Sequence, residues 1–511
     1  MKSTLFTILL LLTFLTTNFA QIIQPHPCGT PSFKSEWLKR YQQNPTAFAG
    51  ALRTDTVLYA PITLHVVGTD AGFGYIDLMQ LTEGLCDLNQ DFVEAKIHYF
   101  VEGDIRFIDS SDWYEHNTVL EGADMMFDNN VNHTINCYVV ADPAGNLGYN
   151  LPYAGIALNK GAASGGTNHT WAHEVGHNLS IQHPFLGWEG NPYNYNQPTP
   201  TTVVYDYTYF KDTLIRDTTI LDTALVELVD GSNCTIAADG FCDTPPDYLA
   251  GGGWPCNAQG QSITLQKDPN DVDFRSDGTN IMSYASDVCV TGFTPEQMAA
   301  MRANLTTEKP TYLYNQNPLR DTITTVATLD GPTQGETVQY NNLQLSWSAV
   351  PGATHYIVQV SRFNSFPVLD VNTATSDTTL VVTNLLPNLN YKWRVKAINP
   401  GYTCSPISPI ENFNTANMVT TKGIKGVETV KIYPTLLENG QLIQIEMTAQ
   451  QATSAQLLIY NMTGQLLQSE TIEIQNGDNN FTMPTKNLVA GNYVLTIQSE
   501  NGQITERIVV Y

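Results

Sequence analysis

The first half of the chain alternates apolar runs of strand length with segments whose apolar residues recur at helical spacing. YAPITLHVVG is rich in β-branched residues and predicts a strand, and YIDLMQLTEGLCDLNQDFVEA after it predicts a helix. KIHYFVE, TINCYVVA and YAGIALN indicate further strands. We expect one helix after the glycine-rich KGAASGGTNHT and another in TPEQMAAMRANLTT, with Thr294 as N-cap and Glu296 in the first turn. This mixture predicts an α+β domain over residues 57–315.

The pattern changes beyond about residue 320, where short alternating runs are rich in Thr, Val, Asn and Leu. Such runs predict β-strands. Glycine turns within VKIYPTLLENGQLIQIEM, AQLLIYNMTGQLLQSETIEI and NLVAGNYVLTIQSENGQITERIVVY indicate a small sandwich near the C-terminus. We therefore predict two all-β sandwich domains, at residues 326–416 and 427–511.

Residues 186–278 show little hydrophobic periodicity and are rich in Asn, Pro, Thr, Tyr and Gly. This composition predicts a long irregular region that is cross-linked by disulfides. Cys86 and Cys137 form either one bridge or two buried thiols, whereas Cys28 and Cys404 stand alone. Two local bridges are expected among the cysteines that fall in one segment, which are Cys234, Cys242, Cys256 and Cys289.

The N-terminus has the features of an export signal. In the first twenty residues, MKSTLFTILLLLTFLTTNFA, Lys2 is followed by an apolar run. This run is shorter than the roughly twenty apolar residues that a membrane helix needs. Residues 1–20 are therefore predicted to be a signal peptide that is cleaved near Ala20. No other stretch is predicted to span a membrane. Residues 21–56 are polar and proline-rich, which indicates a pro-segment.

Composition and charge favour a folded protein and argue against one that binds nucleic acid or anionic membranes. Hydrophobic residues make up 42% of the 511 residues and charged residues 14%, which is typical of folded domains. The formal net charge of −25 argues against general binding to nucleic acid or anionic membranes, because both favour clustered Lys and Arg.

The stretch WAHEVGHNLSIQHPF holds three histidines and one glutamate within eleven residues. His173 and His177 are four residues apart, so on a helix their rings project from one face and can bind one ion. His183 would be rotated away on an unbroken helix; a turn near residue 180 returns it, and Pro184 prevents the helix from resuming. We predict a three-histidine zinc site with the fourth position open to water, as in catalytic zinc sites.

Glu174 is expected to point into the same cleft. Zinc would lower the pKa of bound water to about 7, and Glu174 would accept its proton and pass it to the amine that leaves a cleaved peptide bond. Two interpretations compete with this one. The histidines could be ordinary surface or core residues, or a glutamate of a later helix, Glu189 or Glu227, could replace His183 as third ligand.

The spacing resembles the metzincin motif H-E-x-x-H-x-x-G-x-x-H, with Ser180 where the motif has glycine. A serine there costs about 1 kcal/mol if the turn needs positive φ. GTNIMSYASDVC, FCDTPPD and FTPEQMAAM resemble blocks of the pappalysin family, in its cytophagalysin and ulilysin branch, and the resemblance covers residues 57–312. It implies a zinc endopeptidase whose catalytic domain has a twisted mixed sheet, an active-site helix and an irregular C-terminal subdomain.

The same resemblance implies roles for residues near the zinc. Met282 would form the apolar floor of a methionine turn. Tyr284 would steady the oxyanion with its hydroxyl, the alternative being a packed aromatic residue. The strand YAGIALN would lie along the cleft and pair with an extended substrate.

The resemblance also implies two disulfide bonds and a calcium site. Calcium is implied near Asp239 and Asp243, although Asp243 equally suits a cap on the turn before Pro245. The implied disulfides are Cys256–Cys289 and Cys234–Cys242.

Cys28 lies in HPCGTP within the predicted pro-segment. Thiolate binds zinc well, and the family's Cys-Gly-Thr switch implies that Cys28 takes the place of the water until the pro-segment is cut. The alternative is a disulfide to Cys404 or to another chain.

The C-terminal region carries two further resemblances. LQLSWSAVPGATHYIVQVS and LLPNLNYKWRVKAINPG resemble a fibronectin type III domain, with Trp347 in the core and Tyr391 at a tyrosine corner. IYP, IYNMTGQ and LVAGNYVLTI resemble the C-terminal sorting domain of type IX secretion, which implies the secretion machinery as a partner. We therefore expect a secreted zinc endopeptidase acting on proteins or peptides; the alternative is a surface adhesin on an inactive zincin scaffold.

Overall fold

A computed structural model describes residues 26–30, 33–51, 56–152, 154–189, 191, 193–207, 210–211, 214–215, 220–383, 385–416, 424, 426–461, 464–486, 488–499 and 502–511. The predicted signal peptide and its cleavage point lie outside these residues. The chain is mostly β and divides into two compact units. The first contains the residues up to Ile76 with Gln80–Leu319, and the second contains Asp77–Met79 with Arg320–Tyr511.

The described strands of the first unit form one seven-stranded sheet and four two-stranded pairs. In chain order they are β1 His26–Cys28, β2 Leu58–Gly68, β3 Ile97–Val101, β4 Arg106–Asp109, β5 Glu115–His116, β6 Ile135–Val140, β7 Asp142–Pro143, β8 Asn146–Leu151, β9 Gly155–Asn159, β10 Thr202–Tyr207, β11 Phe210–Lys211, β12 Leu214–Ile215, β13 Ile220–Leu225, β14 Gln266–Lys267 and β15 Asp273–Phe274.

The main sheet is mixed, with strand order β1-β8-β9-β6-β2-β3 and β4 beside the end of β2. β2, β3, β4, β6 and β9 run parallel to one another, whereas β8 is antiparallel to β9. β6 is buried along its whole length and β2 along most of it, which explains their continuous apolar sequences.

The expectation that YAGIALN pairs with a substrate is wrong. β9, which contains most of this stretch, is hydrogen-bonded to β6 on one side and to β8 on the other, so it has no edge left. The strand next to the sheet edge is β8, and its outer side is paired in parallel with β1 of the predicted pro-segment.

The described helices include the three that the sequence predicts. The helix in TPEQMAAMRANLTT has a capping box between Thr294 and Gln297, with Glu296 in its first turn, which confirms that prediction. The α-helices are α1 Glu36–Gln43, α2 Leu78–Asp91, α3 Ser111–Tyr114, α4 Val119–Asn129, α5 Thr170–Asn178 and α6 Pro295–Thr307, and short 3-10 helices span Pro45–Ala51 and Pro310–Leu313.

In the second unit, residues 329–416 form a sandwich of a three-stranded and a five-stranded sheet. Trp347, Tyr391 and Trp393 are buried between the sheets. The Tyr391 hydroxyl accepts a hydrogen bond from the Leu386 backbone N–H at 2.9 Å, which is the predicted tyrosine corner. The strands are β16 Leu329–Gly331, β17 Glu336–Gln339, β18 Leu343–Trp347, β19 His355–Ser361, β20 Val371–Thr375, β21 Thr379–Val382, β22 Asn390–Ile398 and β23 Glu411–Ala416.

The C-terminal residues form another sandwich of a three-stranded and a five-stranded sheet, around its own apolar core. Within the described part of the chain, no helix is long and apolar enough to cross a membrane. The strands are β24 Val427–Tyr433, β25 Leu436–Leu437, β26 Leu442–Ala449, β27 Thr453–Asn461, β28 Leu466–Ile474, β29 Gly477–Pro484, β30 Gly491–Ser499 and β31 Gly502–Val510.

Candidate metal centre

Helix α5 carries His173, Glu174 and His177, and it ends in a sharp turn that reverses the chain. Ser180 has φ +72°, and the Ile181 N–H bonds back to the Gly176 carbonyl at 3.0 Å. This is the geometry in which a glycine usually ends a helix. The turn brings His183 back to the helix, and the Asn304 amide donates to the Ser180 hydroxyl oxygen at 3.2 Å.

The three imidazole rings meet at one point. The Nε2 atom of His173 lies 3.1 Å from those of His177 and His183, and the latter two are 3.0 Å apart. Nitrogen atoms at about this separation suit ligands that each bind one ion at about 2.0–2.1 Å. The rings are buried, and burial lowers the pKa of His173 to about 4, so its imidazole is neutral at pH 7. Burial, and then the two neighbouring rings, lower the pKa of His177 well below its usual value.

The other ring nitrogens fix the tautomers. The Nδ1 atoms of His173 and His177 lie 2.8 Å from the carbonyl oxygens of Ile281 and Ile181. His183 Nδ1 lies 3.0 Å from a Glu189 carboxylate oxygen. Carbonyl and carboxylate oxygens only accept, so each Nδ1 carries the proton and each Nε2 presents a lone pair. Three lone pairs facing each other in a buried site fit a bound cation, and three imidazoles favour zinc.

Cys28 supplies a fourth ligand atom. Its Sγ atom and the ligand nitrogens of His173, His177 and His183 all lie within 4.8 Å of one another. Cys28 is buried and is not part of a disulfide within the chain, so the alternative bridge to Cys404 is absent. Burial, and then the charge of Glu174, raise the pKa of this thiol well above its usual value.

The pro-segment holds the buried carboxyl group of Glu174. Its Oε2 atom accepts a hydrogen bond from the Thr30 hydroxyl at 2.8 Å, and the Thr30 oxygen accepts from the Asn150 backbone N–H at 2.8 Å. Burial raises the pKa of Glu174 to about 8, against the opposite effect of its hydrogen bonds. Thr30 therefore links the pro-segment, strand β8 and the predicted general base.

Met282 packs beside Gly176 of helix α5, and Tyr284 packs beside His183. A Cβ atom on Gly176 would lie only 2.6 Å from the Met282 sulfur, so the glycine of HEVGH leaves room for this buried methionine. The Tyr284 ring centroid lies 4.9 Å from that of His183, and its hydroxyl donates to the Cys28 carbonyl oxygen at 3.3 Å. Tyr284 is thus a packed aromatic residue whose hydroxyl also donates a hydrogen bond to the backbone of Cys28 at the metal centre.

The rival third ligands lie elsewhere. Glu189 contacts the outer nitrogen of His183, and its second oxygen accepts from the Gly187 N–H at 2.8 Å, so it orients the ligand. Among the described residues, the cluster of Cys28 and the three histidines is the one group with metal-ligand geometry, and Glu227 is not part of it. The roles of Thr30 and Glu189 were not predicted, because both act through contacts outside the H-E-x-x-H pattern.

Both implied disulfides are present, with Cys256 bonded to Cys289 and Cys234 to Cys242. Cys137 is a buried thiol, whereas Cys86 is disulfide-bonded to another residue. Both alternatives expected for this pair, one shared bridge or two buried thiols, are therefore wrong. Asp243 accepts a hydrogen bond from the Glu296 N–H at 2.7 Å and so caps the start of α6. Neither Asp239 nor Asp243 belongs to a group with metal-ligand geometry in the described part of the chain, and calcium here stays a prediction.

Two family models match the chain, both C-terminal to the histidines. Residues 331–413 match the fibronectin type III domain and residues 431–511 match the secretion system C-terminal sorting domain. The chain carries a type IX sorting domain. It is therefore a secreted or cell-surface protein that engages the secretion machinery, as predicted.

The remaining comparisons concern whole chains. No curated protein matches this sequence. Among solved structures, the crystal structure of the FN1-FN3 domains of chicken CNTN1 is similar over 37% of this chain and 69% of that chain, at 13% identity and a TM-score of 0.19. Neither family match includes the histidine cluster of the first unit.

Proposed function

We propose that the protein is a secreted zinc endopeptidase of the metzincin type, held latent by its pro-segment. The observation that carries this proposal is the convergence of three Nε2 lone pairs beside the carboxyl group of Glu174. Neutral imidazoles with their outer nitrogens tied to carbonyl or carboxylate oxygens are the usual ligands of catalytic zinc. Bound zinc would polarise a peptide carbonyl and make a water molecule acidic.

Residues of this chain would carry the proton and steady the charge. Once Thr30 leaves, the Oε2 atom of Glu174 is available to accept a proton from the attacking water and to return it to the leaving amine. The Tyr284 hydroxyl, which donates to the Cys28 carbonyl in the precursor, would donate to the oxyanion of a substrate.

The pro-segment occupies the place proposed for the substrate. β1 pairs with the outer edge of β8 through His26 and Cys28. The Gly29 N–H donates to the Gly148 carbonyl at 2.9 Å. Removing this strand would free the edge of β8 for an extended peptide, so β8 takes the role first expected of YAGIALN. Cys28 would block the fourth ligand position until then.

The test uses full-length protein from which the pro-segment has been cut after folding, at a protease site introduced within residues 52–55. We expect it to contain zinc and to cleave a denatured protein in a chelator-sensitive manner. Glu174→Gln is expected to keep the zinc and to lose roughly 10²–10⁴-fold in rate, because general base catalysis is removed. Asp128→Asn, which changes an exposed acid, is the matched control.

Two results would contradict the proposal. Absence of a transition metal from the folded protein would remove the basis of the mechanism. A zinc-loaded protein without chelator-sensitive cleavage would favour the alternative function, a surface adhesin on an inactive scaffold.

A further inference from the structure

A cavity of about 790 Å³ adjoins the metal centre within the first unit. The metal ligand His177 and Asn150 of strand β8 both line it, so it borders the helix and the strand that are proposed to flank the substrate. Thr30 and Trp37 are among the pro-segment residues that complete its lining. Its volume falls within the roughly 300–1,000 Å³ of ligand pockets. Loss of the pro-segment would therefore leave an open pocket beside the metal.

Lys309 is the half-buried cation of the wall that would remain. Apart from His177, the other acidic and basic residues described in that wall are exposed; they are His133, Asp222 and Glu308. Solvent screens a half-buried charge less than an exposed one. Lys309 is therefore the charged residue of this pocket that would contribute most to binding a ligand of opposite charge.

Within the described part of the chain, no carboxylate pairs with the ammonium group of Lys309. Its Nζ atom donates to the Asn178 side-chain oxygen at 2.9 Å and lies 5.2 Å from the centre of the Tyr312 ring, and neither partner is charged. The adjacent Glu308 instead lies 3.7 Å from Arg40 of the pro-segment. Burial lowers the pKa of Lys309 to about 8, against the smaller, opposite effect of Glu308. An ammonium group has three N–H donors, so this one can also bind a carboxylate.

Hydrogen bonds connect Lys309 with the strand that would pair with the substrate. The Asn178 amide donates to the Asn150 side-chain oxygen at 2.9 Å, and Asn178 directly follows the metal ligand His177. The Asn150 backbone N–H donates to the Thr30 hydroxyl oxygen in the precursor and would become available to a substrate once the pro-segment leaves. Lys309 is thus joined through two side chains to the proposed substrate edge.

Gln182 independently indicates that the cavity binds a polar ligand. Its side chain is 5% exposed and lines the same cavity, directly before the metal ligand His183. Its Oε1 atom has no hydrogen-bond partner in the described part of the chain. A buried acceptor without a donor costs free energy, and a backbone N–H of a bound peptide would supply this donor.

We propose that this cavity is a subsite for an acidic residue of the substrate, in which Lys309 pairs with a carboxylate. The carboxylate would belong to an Asp or Glu side chain or to the C-terminus of the peptide. This inference rests on the proposed peptidase function and adds a substrate class to it. A charge-assisted hydrogen bond is shorter and stronger than one between neutral groups, so the bond to Lys309 would distinguish an acid from its amide.

The test uses alanine-based octapeptides in which glutamate or glutamine stands at each position in turn, each made with a free and with an amidated C-terminus. They are incubated with full-length protein whose pro-segment has been cut after folding. We expect one position at which glutamate raises kcat/KM about tenfold or more over glutamine, or the same gain from the free C-terminus over the amide. The first result would assign the subsite to a side-chain carboxylate, and the second to a terminal one.

Variants of Lys309 show whether this residue carries the preference. Lys309→Met is expected to reduce the ratio of the two kcat/KM values to below about threefold, whereas Lys309→Arg, which keeps the charge, should hold it above that value. Lys96→Met, which changes an exposed lysine of the same unit, should leave the ratio unchanged. If Lys309 only supported Asn178, Lys309→Met would slow both peptides by the same factor and keep the ratio, and this result would overturn the subsite.

Calorimetric titration of the same peptides into mature Glu174→Gln protein measures binding without turnover. The acidic peptide is expected to bind about tenfold more tightly than its amide counterpart, and Lys309→Met in this background should abolish the difference. Equal binding, or cleavage without a preference for the carboxylate at any position, would overturn the subsite and leave the peptidase proposal standing. Failure to cleave any peptide, together with the expected difference in Kd, would overturn the peptidase and retain the carboxylate site.

Discussion

The orientation of each histidine depends on the contact of its outer nitrogen. His173 and His177 bond to backbone carbonyls, one of them from Ile281, which directly precedes the buried Met282. His183 follows the turn and bonds to the side chain of Glu189. The first two contacts are part of the backbone fold, whereas the third depends on one carboxylate. Glu189 is therefore the contact through which a point mutation would most directly disturb a ligand.

Ser180 provides a test of backbone strain in the turn that returns His183. A non-glycine residue at φ +72° is strained, so Ser180→Gly should relieve strain. Either replacement of this serine removes its hydrogen bond with Asn304, so the informative comparison is Ser180→Gly against Ser180→Ala. We expect the glycine variant to be more stable by about 1 kcal/mol in urea unfolding. Equal stability would show that the turn tolerates a side chain without cost.

Lys309 should give the protein a distinctive pH dependence. It donates to the Asn178 side chain at 2.9 Å, and burial lowers its pKa from 10.5 to about 8. Between these values the unfolded chain binds more protons than the folded one, so stability should rise with pH over that window. The rise should be about 2 kcal/mol relative to Lys309→Met, in urea unfolding from pH 7.5 to 10.5.

The control for this titration is Lys39→Met, which changes an exposed lysine paired with Glu36. It should retain the full rise. A wild-type curve parallel to that of Lys309→Met would mean that the ammonium group keeps its ordinary pKa in the folded protein.

Helix α5, its terminal turn and the caps of α6 could be predicted because each depends on residues within about ten positions of one another. The pairing of β1 with β8 could not, because it joins residues about 120 positions apart and a polar, proline-rich segment gives no strand periodicity. The interior position of β9 was missed for a related reason. An apolar run predicts a buried strand, but only strand order shows which strand keeps a free edge.

The pro-segment strand leads to a prediction about latency. Cys28→Ala removes the sulfur at the metal centre, so that the pairing of β1 with β8 and the Thr30 contact are left to hold this part of the pro-segment over the site, which should then open more easily. We expect the uncut Cys28→Ala precursor to cleave a denatured protein, whereas the uncut wild type does not. Cys137→Ala, which changes the other buried thiol, should stay latent. A Cys28→Ala precursor as silent as the wild type would assign latency to strand pairing and to Thr30 instead.

The division of the chain into two compact units predicts how the whole molecule responds to loss of metal. All four candidate ligands belong to the first unit, while both family matches fall in the second. A ligand that binds only the folded state stabilises it by about 2.7 kcal/mol at a concentration of one hundred times Kd. Stripping the metal should therefore lower the melting temperature of the first unit by roughly 5–10 °C.

Calorimetry before and after dialysis against a chelator measures this shift. One transition should move and return when zinc is restored, while transitions of the second unit stay in place, because their sandwiches are built around separate apolar cores. Glu174→Gln should keep the shift, since the carboxyl group is not a ligand, and His183→Ala should lose it. A chelator effect that persists in His183→Ala would place the stabilising ion outside the histidine cluster and contradict the proposed centre.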